Sequence, residues 1–115
     1  MSDALVAKKC LPCEGGVPVL TPAEIDRLRP QVPHWSLTAD GKRLRREWKM
    51  KGFVAALEFF NKIGDLAEAE EHHPDLHLTG YRNVAVEIWT HAVGGLSEND
   101  FILAAKIDQL PASAK

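Results

Sequence analysis

Between residues 53 and 67 the side chains Phe53, Ala56, Leu57, Phe60, Ile63, Gly64 and Ala67 recur at steps of three and four. That spacing collects them along one side of a long α-helix. A helix with one apolar side must bury it against another layer, and 115 residues with 45% hydrophobic content suffice for a single compact core.

The rest of the chain supplies that layer as strands. Residues 34–37 and 44–50 read as two short strands joined through Ala39, Asp40, Gly41 and Lys42, where Asp-Gly signals a turn. After Pro74, residues 75–81 alternate, with Leu76 and Leu78 on one side and His77, Thr79 and Tyr81 on the other. Residues 83–91 alternate again: Val84, Val86 and Ile88 face the expected core, and Glu87, Trp89 and His91 face away. Two further helices flank these hairpins. Thr21, Pro22 and Glu24 form a capping box with proline at the first helical position, and Pro30 is expected to stop that helix. Gly94 and Gly95 break the last strand, Ser97 can cap with Asp100, and Leu103, Ala104, Ile107 and Leu110 form a buried stripe ended by Pro111. The predicted class is α+β, in the order α-β-β-α-β-β-α, with helices on one face of an antiparallel sheet. Residues 1–20, rich in Gly and Pro at their end, read as an extended arm, and 21–115 as one domain.

Several functions are disfavoured. Lys and Arg total 14 against 16 Asp and Glu, so the basic excess of a nucleic-acid binder is missing. No stretch approaches the roughly 20 apolar residues of a bilayer span, and no signal pattern opens the chain, so a cytoplasmic or organelle-matrix location is expected. Cys10 and Cys13 form one C-x-x-C without a second pair, which is a weak metal signal, and they are expected to be thiols. No phosphate loop or nucleophile elbow occurs.

What remains is histidine. His72, His73 and His77 fall within six positions at the exit of the long helix, and His91 ends the last strand. Imidazole, with an unperturbed pKa of about 6.5, both gives and takes a proton near neutral pH. Pro74 pushes His73 toward extended backbone and ends the helix there, so His72 and His73 point apart. Glu68, four residues before His72, is expected to meet its ring. The competing reading is structural: a helix C-terminus favours a cationic side chain, and His77 shares a sheet face with Thr79 and Tyr81. Trp35, Trp48 and Trp89 suit a core or interface, or a platform for a flat ligand.

The run Glu68, His72-His73-Pro74, Tyr81, His91 and Asp100 resembles the signature of the pterin-4a-carbinolamine dehydratases. Thr90-His91 and Gly-Leu-Ser-Glu-Asn-Asp over 95–100 reinforce the likeness, which extends from about Thr21 to Leu110. Leu76 stands where animal members have tryptophan, and the His73 to Tyr81 interval is one residue longer. The resemblance implies a four-stranded antiparallel sheet with three helices on one side. It also implies a lyase that dehydrates 4a-hydroxytetrahydrobiopterin to quinonoid dihydropterin in tetrahydrobiopterin recycling, with no metal or other cofactor. On that likeness His72, His73 and His91 are the catalytic candidates, and Glu68, Glu71, Pro74, Thr90, Trp35 and Asp100 the substrate-binding ones. For Asp100, helix capping weighs equally. The implied partners are the pterin itself, further copies in a homodimer or homotetramer, and a functional link to an aromatic amino acid hydroxylase. The alternative is a non-enzymatic binding module, since animal members also act as dimerisation cofactors of a homeodomain protein.

Overall fold

A computed structural model describes residues 3–8 and 18–110. Cys10, Cys13 and Pro111 lie outside the described residues. The elements run α1 (Asp3–Val6), α2 (Pro22–Leu28), β1 (Ser36–Leu37), β2 (Leu44–Lys49), α3 (Phe53–Glu70), β3 (Asp75–Thr79), β4 (Asn83–Ile88) and α4 (Glu98–Asp108). The strands form one antiparallel sheet in the order β1-β2-β4-β3. The expected element order and sheet are therefore present, preceded by α1. Of the segment read as an extended arm, Asp3–Val6 is instead a turn of helix, and Leu5 is 2% exposed in the core.

Register explains which face is covered. Leu44 lies opposite Ile88 and Trp48 opposite Val84, while Leu76 and Leu78 lie opposite Val86 and Val84. Because side chains alternate along a strand, these residues share one face, and Leu44, Val84, Val86 and Ile88 are buried there with Phe59 and Ile63 of α3 and Phe101 and Ile102 of α4. The opposite face carries Arg45, Glu47, His77, Thr79 and Glu87, which is the polar half of the same alternation.

The long helix is rotated from its expected orientation. Its buried residues are Ala56, Phe59, Ile63, Ala67 and Glu70, whereas Phe53 and Leu57 are exposed. The stretch holds apolar residues on more than one side, so the repeat alone did not fix which side faces the sheet. Helix α4 is buried nearly all round, from Asn99 to Ala105 and at Ile107, as expected for an element sandwiched between others. Its last turn is tied to the sheet by Asp108, whose Oδ1 accepts from Trp35 Nε1 at 2.9 Å and from Arg46 Nη1.

Both capping boxes form, at Thr21 with Glu24 and at Ser97 with Asp100. Pro30 does not end the first helix outright; it sits within a 3-10 turn over Arg29–Gln31 that continues α2. The first hairpin turns at Gly41, with φ 71, and Asp40 accepts from the Thr38 hydroxyl and the Lys42 N–H. The second hairpin is shorter than its alternation suggested. β3 stops at Thr79, and Gly80 and Tyr81 adopt φ of 55 and 58 in the connecting loop, which removes Tyr81 from the strand face.

Candidate active site

The geometry of the site begins where α3 ends. Glu71 takes the left-handed conformation (φ 56, ψ 37), the His72 N–H donates to the Ala67 carbonyl at 3.1 Å, and the Glu71 N–H reaches the Glu68 carbonyl at 3.3 Å. These paired bonds are those of a Schellman motif, which reverses the chain sharply. Pro74 then keeps the chain extended into β3. The reversal sends the two neighbouring rings to different places. His72 turns inward and is 5% exposed; His73 turns outward.

His72 does not meet Glu68. Its Nε2 lies 2.6 Å from Oδ1 of Asp100, on the first turn of α4, and Asp100 is fully buried. Glu68 pairs with His73 instead, Oε2 to Nε2 at 2.6 Å, with both side chains in solvent. The four-residue spacing holds only while the helix continues, and the left-handed Glu71 breaks it before His72 is reached. The other oxygen of Asp100, Oδ2, accepts from the Ser97 N–H and from the Thr90 hydroxyl, each at 2.8 Å. Capping and histidine binding, alternatives for Asp100 in the sequence, are thus both present and divided between its two oxygens.

Thr90 belongs to the segment after β4. It is bridged to Gly95, its N–H donating to the Gly95 carbonyl at 2.9 Å, and the loop closed by that bridge is the 3-10 turn His91–Val93. His91 is accordingly not the last residue of a strand but the first of this turn, and it is exposed. Its ring packs on Trp89 with centroids 3.9 Å apart, and the Arg43 guanidinium lies 4.5 Å from the Trp89 ring centroid. Arg43 is held in turn by Glu87 at 3.0 Å and Asp75 at 3.4 Å. Burial pushes the Glu87 carboxyl up, but the hydrogen bonds from Arg45 and Arg43 outweigh it and hold the group below the usual carboxylate range. A network on the open sheet face therefore braces Trp89, on which the His91 ring packs. His72 and His91 are linked through the Asp100 carboxylate, the Thr90 hydroxyl bonded to it and the peptide bond from Thr90 to His91, a connection that joins the end of α3, the start of α4 and the segment after β4.

A family model described as pterin 4 alpha carbinolamine dehydratase matches residues 18–110. The chain belongs to the pterin-4a-carbinolamine dehydratase family. Among relatives of this dehydratase family, one named pterin-4-alpha-carbinolamine dehydratase 2, mitochondrial, from Arabidopsis thaliana is 50% identical over 92% of this chain and 58% of its own length. The chain thus spans little more than half of that relative. A putative pterin-4-alpha-carbinolamine dehydratase from Methylococcus capsulatus is 47% identical over 96% of both chains. A Brucella melitensis crystal structure titled transcriptional coactivator/pterin dehydratase superposes with a TM-score of 0.73 at 27% identity, covering 79% of this chain and 96% of that one.

In this dehydratase fold the other candidates are placed as follows. Trp35 is 4% exposed in the core, its N–H given to Asp108, so it offers no open face for stacking. Thr90 has no exposed surface and its hydroxyl is engaged with Asp100 and Ser97, so it is not set to bind a ring edge. Glu71 and Pro74 shape the reversal at the end of α3, and Glu71 is exposed. His77 is exposed on the open sheet face opposite Ala85. Sequence reasoning missed the Trp89 stack on His91, for which alternation gave the only signal by placing both on one face. It also missed Ser97 as a hydroxyl partner of Thr90, which no local pattern reveals.

Among the described residues, no helix is long and apolar enough to cross a membrane.

Proposed function

We propose that this chain dehydrates a 4a-hydroxytetrahydropterin to the quinonoid dihydropterin, with histidines as the proton-transfer groups. The reaction breaks the C4a–O bond and forms a C4a–N5 double bond. A proton must reach the departing hydroxyl, and the N5 proton must leave, so the products are water and the quinonoid ring with no net change in protons. One group that gives a proton and one that takes it meet this demand. His72 and His91 are those groups, and the exposed His73, paired with Glu68, assists at the substrate side.

The observation that carries the reading is the buried contact between His72 and Asp100. An ionised carboxylate is acceptor-only, so the proton of this contact sits on His72 Nε2 and the ring is held in one tautomer. A histidine needed only as packing would not require an acidic partner with no exposed surface. Family membership points to the same chemistry, and a purely binding role has no use for such a pair.

The test is spectrophotometric. The carbinolamine is generated in situ and its decay followed with and without the protein. Acceleration above the spontaneous rate, proportional to protein concentration, is expected, and identical decays would remove the proposal.

A further inference from the structure

We propose that Thr90 and Ser97 are positioning residues for His72, acting through a directional chain of hydroxyls that ends on Asp100. This inference rests on the acid/base reading of His72 given above. Thr90, Ser97 and Asp100 each have no exposed surface. The Thr90 hydroxyl donates to Asp100 Oδ2 at 2.8 Å, and its single proton is thereby used. The Thr90 and Ser97 hydroxyl oxygens are also 2.8 Å apart. Ser97 must therefore be the donor in that contact, and the order of donation runs from Ser97 through Thr90 to Asp100.

Such a chain polarises each successive bond and favours negative charge at its end. Asp100 Oδ2 also accepts the Ser97 N–H at the start of α4, where the helix dipole again favours an anion. With two donors on Oδ2, the carboxylate plane is fixed and Oδ1 is aimed at His72 Nε2. With Asp100 ionised, Oδ1 can only accept, so the proton of the histidine contact lies on His72 Nε2. The hydroxyls thus select the tautomer of a ring that neither of them touches. Because Thr90 directly precedes His91 in the chain, the same residue fixes the root of both proton-transfer groups. Packing alone does not require this arrangement. Valine fills the space of threonine, and a hydroxyl with no exposed surface is costly unless it is bonded.

The chain is tested in full-length protein with Thr90→Val, Thr90→Ser and Ser97→Ala, each read in two ways. The first is the imidazole 15N spectrum of His72, which distinguishes the Nε2–H tautomer from a mixture. The second is the rate of carbinolamine loss. In wild type and Thr90→Ser the Nε2–H pattern is expected, with kcat within about threefold of each other. Thr90→Val should show mixed tautomers and a kcat lower on the order of 10- to 100-fold, with KM changed by less than about twofold, the consequence of losing one donor to a buried charge. Ser97→Ala should move both readouts in the same direction and less far. Wild-type spectra and kcat in a folded Thr90→Val protein would overturn the inference and leave the hydroxyls as packing. Should Thr90→Val not fold, Ser97→Ala decides by the same two criteria. The spectrum needs no turnover, so failure of the dehydration reading, seen as no acceleration by wild type, remains distinguishable from failure of the hydroxyl chain.

Discussion

Replacing Asp100 with asparagine keeps the shape of the side chain and changes which atoms can accept. In the native site Oδ2 faces two donors, the Ser97 N–H and the Thr90 hydroxyl, and Oδ1 faces His72 Nε2. An amide has one oxygen and one NH2. The Ser97 N–H cannot reverse its role, so the amide oxygen must take the Oδ2 place and the NH2 must face His72. His72 then has to accept at Nε2, so its ring is driven to the opposite tautomer, with the proton on Nδ1. The predicted cost in stability is modest, about 1–3 kcal/mol, because one charge-assisted bond becomes neutral and no donor is orphaned. That leaves most of a typical domain stability of about 5–15 kcal/mol intact. The predicted cost in kcat is far larger, on the order of 10^2- to 10^4-fold, the range associated with a catalytic histidine held in the wrong tautomer. Asp100→Ala should be the less stable variant, since it leaves Thr90, the Ser97 N–H and His72 without their buried acceptor. Stopped-flow decay of the carbinolamine, with urea unfolding on the same samples, separates the two effects. A folded Asp100→Asn protein that turns over within about threefold of wild type would refute the reasoning.

Glu71→Gly relieves a left-handed residue at the end of α3 (φ 56) and should stabilise the chain by about 1 kcal/mol in urea unfolding, since glycine carries no side-chain penalty there. Gly80→Ala should do the reverse: its φ is 55, and an added Cβ would lie 2.7 Å from Nδ2 of Asn83, so a lower melting temperature is expected. Glu87 has a folded carboxyl pKa below its unfolded one, so its contribution is present above the unfolded value and lost as pH falls through the folded value. Glu87→Gln should therefore flatten the acid limb of stability against pH. Glu68→Gln breaks an ion pair lying in solvent, and its effect on unfolding should be under about 1 kcal/mol.

The sequence exposed most of the frame because its rules there are local. Capping boxes at Thr21 and Ser97, alternation at Val84, Val86 and Ile88, and the Asp40-Gly41 turn each depend on a few neighbouring residues, and each is present in the fold. The partner of His72 was not legible in the same way. A helical i to i+4 rule assigned it Glu68, but one residue in the left-handed conformation redirected the ring to Asp100, 28 positions away. Orientation of α3 also lay beyond local pattern, because Phe53 and Leu57 are as apolar as the residues that are buried. The place of Trp35 was settled by Asp108, which is 73 positions distant. Contacts between remote segments decide such details: Asp100 was legible as a cap and through the family signature, but not as the partner of His72.

Carbinolamine loss in the presence of the His72→Ala/His91→Ala double variant tests the proton-transfer reading most directly. With folding verified by circular dichroism, the rate is predicted to fall to that of buffer alone, while wild type exceeds it at equal concentration. A double variant that still consumed the carbinolamine at the wild-type rate would contradict the assignment of these imidazoles to the chemistry.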